Sequence, residues 1–186
     1  MSSWRSIARA GTALICALGF AGAGAALAAD PAPAKTDAPK PVIKTFGSWR
    51  TSCVKTEKNG DECHAFVQVV TKEKQSVLYL GIGYARAKEV AGKLSMFTNV
   101  PLGTLLPAGI KIAIDGKNEI ARPFLFCAPG GCRADMLIDD AELKAMKSGK
   151  EMEVTFTLLG SGEVKIPLKL DGISAAIKSL PVPKKS

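Results

Sequence analysis

Four cysteines, Cys53, Cys63, Cys127 and Cys132, are the residues whose type and spacing carry the clearest chemistry in this 186-residue chain. Four thiols can hold Zn²⁺, cycle between reduced and oxidised forms, or form permanent crosslinks. A redox pair typically takes the form Cys-x-x-Cys, which is absent. A zinc set is disfavoured because the chain reads as exported, and an even cysteine count behind a secretory leader points to disulfides. Three pairings of four cysteines are formally possible, and local context favours two short loops. Cys53 and Cys63 flank Lys58-Asn59-Gly60-Asp61, whose Asn-Gly is a hairpin signal. Cys127 and Cys132 flank Ala-Pro-Gly-Gly, a second tight reversal. Each bridge would then staple neighbouring strands and contribute about 2–3 kcal/mol.

The remaining candidates for chemistry have simpler explanations. His64 is the single histidine, and no Gly-x-Ser-x-Gly or other nucleophile motif accompanies it as a general base. Gly81-Ile-Gly83 lacks the third glycine and following helix of a dinucleotide loop, so it reads as close packing or a bulge inside a strand. Asp139, Asp140 and Glu142 have the composition of a hard-cation site, but the start of one helix accounts for all three through capping and the helix dipole. Asp115 before Gly116 reads as a turn residue, and no Asp-x-Asp-x-Asp calcium loop is present. Trp49, Tyr79 and Tyr84 are either a ligand groove or, as strand aromatics more often are, core. No catalytic residue, metal or cofactor is expected, and the chain does not read as an enzyme.

The elements that must position these residues begin after a leader. Arg5 and Arg9 precede an unbroken uncharged run from Ala10 to Leu27 that contains Cys16 and closes on Ala26-Leu27-Ala28. Cationic segment, apolar segment and small-residue site in that order read as a signal peptide over residues 1–28. Residues 29–42, rich in Pro, Ala and Lys, read as an extended linker. Residues 43–182 then read as one domain.

Within that domain short strand-like runs alternate with turn signals. Ile110-Lys-Ile-Ala-Ile-Asp, Val154-Thr-Phe-Thr-Leu and Val164-Lys-Ile-Pro-Leu-Lys-Leu have period two. Runs 64–70 and 77–84 are rich in β-branched and aromatic residues, and 46–53, 93–100, 120–127 and 132–138 complete about nine strands. Pro107-Ala-Gly109, Asp115-Gly116, Pro129-Gly-Gly131 and Gly160-Ser-Gly162 mark turns, and Pro167 belongs on a sheet edge. Asp139-Asp-Ala-Glu142 opens a helix that Gly149 ends, and Ile173, Ile177 and Leu180 have the spacing of a second. The pattern predicts a mainly β domain: an antiparallel sandwich or partly closed barrel with one or two short helices.

The net charge is +8, and loss of Arg5 and Arg9 with the leader lowers it by two. Scattered lysines dominate that excess. They predict a solvated surface, with loose attraction to an anionic membrane face or partner as the alternative. Nucleic acid is excluded as a partner, because arginine is scarce and no basic run is interleaved with aromatics.

Three segments resemble one known family, the invasion-associated locus B proteins. They are Phe46-Gly-Ser-Trp49-Arg-Thr-Ser-Cys53 with Cys63 and Gln68; Asn99-Val-Pro101-Leu-Gly103 through Asp115 with Cys127, Cys132, Arg133 and Ala134; and Leu170-Asp-Gly172-Ile-Ser-Ala175. The resemblance runs from Phe46 to Leu180. It implies an exported β-sandwich-like protein of the periplasm or outer membrane, without catalytic positions, linked by family name to host-cell invasion. The expectation is a non-enzymatic envelope module, periplasmic and possibly outer-membrane associated or secreted, that binds a protein or envelope component. A periplasmic hydrolase or a small-ligand carrier is the alternative.

Overall fold

A computed structural model describes residues 40–56, 60–85 and 87–183. The expected leader, the linker up to residue 39, and Asn59 of the first turn signal lie outside the described residues.

Among the described residues eleven strands form rather than about nine. They are β1 (Val42–Phe46), β2 (Trp49–Thr56), β3 (Gly60–Val70), β4 (Ser76–Tyr84), β5 (Leu94–Val100), β6 (Ile110–Ile114), β7 (Lys117–Arg122), β8 (Phe126–Ala128), β9 (Gly131–Leu137), β10 (Glu151–Leu158) and β11 (Gly162–Lys169). The difference comes from two runs that each straddle a break. Positive φ at Gly47 turns the first run back on itself, and Val42, the last residue assigned to the linker, already pairs with Cys53. The second run is cut at Pro123, which has no N–H for a ladder. Its halves join different sheets: β7 pairs with β6, and β8 pairs with β9.

All pairings are antiparallel and build two sheets, ordered β1-β2-β3-β4-β5-β9-β8 and β11-β10-β6-β7. Neither sheet closes into a barrel, so the sandwich alternative holds. Pro167 lies in β11, an outer strand of the smaller sheet, as expected of a residue that cannot donate. At Asp115-Gly116 both residues take positive φ (49° and 68°) between the paired Ile114 and Lys117. That is the two-residue hairpin geometry that suits sheet twist.

Strand periodicity explains where the core sits. Leu78, Leu80 and Ile82 of β4, Met96 and Val100 of β5, and Cys132, Ala134 and Met136 of β9 point inward from the larger sheet. Ile110, Ile112, Ile114, Met152, Val154, Phe156, Ile166 and Leu168 meet them from the smaller one. Each buried Leu, Ile, Val, Met and Phe among them stabilises the fold by about 1.5–3 kcal/mol through removal from water.

Two helices complete the core. In α1 (Asp140–Ser148) Asp139 Oδ1 accepts from Glu142 N at 2.7 Å and Glu142 Oε2 accepts from Asp139 N at 2.9 Å, a reciprocal capping box. Gly149 ends it in extended backbone, and what the glycine supplies is room, since a Cβ there would meet Ile114 Cγ2 at 2.6 Å. The second helix, α2 (Ile173–Lys178), buries Ile173, Ala176 and Ile177, and Leu180 just beyond it is buried too.

The two ends of the domain are clamped together. Ser48 donates its backbone N–H (3.1 Å) and its hydroxyl (2.6 Å) to the carboxylate of Asp171. The indole of Trp49 donates to the carbonyl of Lys169 at 3.0 Å. Gly172, at φ 85°, presses against the Phe46 carbonyl where a side chain would collide. The glycines and aspartate of the first and last family-like segments are therefore two halves of one joint.

Candidate functional site

The outer face of the seven-stranded sheet carries the most organised side-chain cluster outside the core. Directly paired residues of antiparallel strands point to the same side of a sheet. The register therefore sets Arg50, Phe66, Gly81, Phe97 and Asp135 in one cross-strand row. One flanking row is Ser52, His64, Gly83, Ser95 and Leu137. The other is Gln68, Tyr79, Asn99, Arg133 and Phe126.

Four rings pack across these rows. Phe66 and Tyr79 stack with centroids 5.3 Å apart at 13°, and Tyr79 and Phe97 lie 6.0 Å apart at 23°. His64 tilts against Phe66 and Phe97 at 5.7 and 5.5 Å. Gly81 makes the cluster possible, because the Phe97 ring lies where any Cβ at that position would be. The Gly81-Ile-Gly83 pair thus serves close packing; the bulge in this part of the sheet falls at Val69/Val70 instead. Two guanidinium groups cover the cluster: Arg50 Cζ stands 4.7 Å over the Phe66 ring and Arg133 Cζ stands 4.6 Å over Phe97. Arg133 also meets Asp135, Nε to Oδ1, at 2.8 Å.

The electrostatics of the cluster are simple. His64 Nε2 and the Tyr79 hydroxyl share a hydrogen bond of 2.6 Å. Burial holds the imidazole below its ordinary titration range. Burial likewise raises the Tyr79 phenol, against the opposing pull of Arg50. Both groups are accordingly neutral near pH 7, and the arginines are the cationic elements. A guanidinium over a ring face can still donate through its N–H groups, in the fork that suits carboxylate or phosphate, although Arg133 already donates its Nε–H to Asp135. Arginine and aromatic residues are also the side chains most enriched at the energetic centres of protein interfaces. The arrangement can bind through its rings and cations.

The other sequence candidates disperse. Cys53 is bonded to Cys63 and Cys127 to Cys132, and each pair joins directly opposed residues of adjacent strands. The acids Asp139 and Glu142 are used by the helix cap, and Glu142 also meets Arg122 at 3.5 Å. Among the described residues no group of three or more His, Cys, Asp or Glu is arranged to hold a metal ion. Asp115 does more than turn the chain: its carboxylate accepts from the backbone N–H of Lys150 and Glu151, which tethers the start of β10. Those bonds hold its pKa below the usual carboxylate value, with Glu151 the largest contributor. The three aromatics separate, with Trp49 fully buried, Tyr84 packed against the core and Tyr79 alone on the outer face.

Two grooves are present elsewhere. One of about 650 Å³ runs past Lys147, Lys150, Lys169 and Asp171, and one of about 330 Å³ lies between Lys44, Lys55, Asp61 and Pro181 beside the first disulfide. Charged side chains line both, and neither contains His64.

Sequence reading passed over Arg50, Phe66, Phe97 and Arg133. The available signal was the set of residues alternating with the apolar ones: His64, Phe66 and Gln68 in one strand, Ser95, Phe97 and Asn99 in another. Only the pairing register brings those sets into contact.

Comparison with known proteins agrees with this architecture. A solved structure, the crystal structure of invasion associated protein b from Bartonella henselae, matches with a TM-score of 0.61 at 25% identity, covering 73% of this chain and 91% of that one. Invasion protein B of Bartonella bacilliformis is 25% identical over 143 residues, 75% of this chain and 74% of the relative. An invasion protein B homolog of Brucella abortus is 30% identical over 138 residues, 72% of this chain and 76% of the relative. The family model described as invasion associated locus B (IalB) protein matches residues 49–181, and the chain belongs to that family.

Proposed function

We propose that this chain is an exported, non-enzymatic binding module of the cell envelope that works in the periplasm and engages a protein or envelope component through the arginine-capped aromatic face. The observation that carries the reading is the Arg50–Phe66–Phe97–Arg133 arrangement, two cations placed over rings on a sheet face that the core does not use. The N-terminal pattern of residues 1–28 and the linker after it support export, and paired cysteines suit an oxidising compartment. His64 lies half-buried in the ring cluster with its Nε2 on the Tyr79 hydroxyl, which supports the binding reading over a hydrolase. The names of the relatives extend the proposal to host-cell invasion.

Two measurements test it. Intact mass of protein recovered from its own cell envelope is expected to correspond to loss of residues 1–28 with both disulfides formed. The recovered protein is expected to capture a defined envelope component that an Arg50→Glu/Arg133→Glu variant of unchanged circular dichroism does not. Equal capture by the two proteins would remove the outer face from the proposal, and four free thiols would remove the periplasmic assignment.

A further inference from the structure

We infer that one loop cluster of the sandwich is a membrane-contact tip that places leucine side chains into the interface of an anionic lipid bilayer. Three connections outside the aromatic face are separated in sequence: 101–109 between β5 and β6, 159–161 between β10 and β11, and 123–130, which holds β8. Together they comprise twenty residues without a single Lys, Arg, Asp, Glu or His. At the 23% of charged residues in the whole chain, about five would be expected there. Depletion in three separate segments calls for a shared cause, and their shared property is location.

The structure joins them. Leu105 N donates to Thr157 O and Leu159 N donates to Gly103 O, each at 2.8 Å, and Thr104 bridges to Leu158. Gly109 lies so close to Arg122 that a Cβ would meet its carbonyl oxygen at 2.7 Å, and Asn99 Nδ2 donates to Gly130 O at 2.8 Å. On this frame the leucines point out rather than in. Leu159 is 78% exposed and Leu102 is 54% exposed, with Leu105 and Leu106 exposed beside them. A soluble surface seldom groups several large exposed aliphatic side chains without a use for them.

Lipid is the occupant that fits the charge pattern. A charged group pushed into the interface must shed water at high cost, and these loops contain none to shed. The chain is basic, at +8 and two less once Arg5 and Arg9 leave with the leader, which draws it to an anionic surface over the distance at which leucines cannot yet act. Long-range attraction followed by shallow apolar insertion is the usual division of labour in peripheral membrane contact.

The test uses protein recovered from its native envelope, with the leader state fixed by intact mass. Co-sedimentation is measured with vesicles of phosphatidylglycerol mixed with phosphatidylethanolamine, and with phosphatidylcholine alone. The protein is expected to sediment with the anionic vesicles, more weakly with the neutral ones. A Leu105→Glu/Leu159→Glu variant is expected to lose on the order of tenfold or more in partitioning, with circular dichroism unchanged. Leu159→Trp is expected to shift its emission to the blue on vesicle addition and to be quenched by brominated acyl chains. Equal partitioning of parent and double variant, or an unquenched Trp at 159, would overturn the inference. So would a concentration-dependent dimer, formed without lipid and abolished by the double variant, which would assign the leucines to a second copy.

Discussion

The inner and outer faces of the seven-stranded sheet are made by the same strands, residue by alternate residue, yet they are built on different rules. Inward, β4 presents Leu78, Leu80 and Ile82, all fully buried among aliphatic neighbours. Outward, the same strand presents Tyr79, Gly81 and Gly83, and the apolar rings gathered over them are covered by arginines rather than by another layer of protein. Phe66 is only 7% exposed although it lies on the outer side. A strand has two faces and a sandwich core needs one of them per sheet, so the outer residues are not fixed by the core. The separation teaches which substitutions should unfold the protein and which should only blunt it.

That contrast is tested most severely on the inner side. Trp49→Ala empties a fully buried site and abolishes the hydrogen bond to Lys169, and is expected to lower stability by about 3–5 kcal/mol in chemical denaturation. A loss below about 1 kcal/mol would mean that the clamp between the first and last segments is not part of the core. Next comes Gly81→Ala, which changes the outer face alone. The new methyl group must displace the Phe97 ring, and a cost of about 1–3 kcal/mol is expected, together with weakened capture of the envelope partner. Unchanged capture with the ring displaced, visible in its aromatic proton shifts, would show that the ring array is packing and not recognition.

Smaller still is Arg50→Ala. An exposed cation over a ring contributes about 0.5–1 kcal/mol, so the thermal midpoint should barely move while capture falls. Proportional loss of both would erase the distinction between the faces. The smallest effect is one of pH. Because burial depresses the His64 pKa below 6.5, the unfolded chain takes up a proton first, and stability is at its full value above that pH. It then declines as pH falls through the window below 6.5, and His64→Gln should remove that decline. Asp115 and Asp171 have depressed pKa values as well, the latter chiefly through the Ser48 hydroxyl. Their contribution is intact above 3.8 and lost at lower pH still. Acid should therefore weaken the outer cluster before it releases the turn and the clamp.

Much of this molecule is legible in its residue order, for local reasons. The capping box at Asp139 and Glu142, the Asp115-Gly116 hairpin, the edge position of Pro167 and the alternation in β6, β10 and β11 each involve residues a few positions apart, so spacing alone discloses them. Strand limits at Phe46 and Pro123 were less legible because both runs look continuous in composition. The first reverses at Gly47, and the second changes sheets.

What the sequence determined by itself is therefore the set of parts: the short crosslinked loops, the two-sided strands and the helix cap, all governed by local propensity and solvent. What only the tertiary structure decided is which outward residues meet. Arg50 and Phe66, Phe97 and Arg133, and Ser48 and Asp171 have no sequence relation that foretells their contact. The physical reason is register: once inward side chains lock each strand against its neighbour, every outward side chain is carried to a fixed address, and the outer cluster follows from how the core packs.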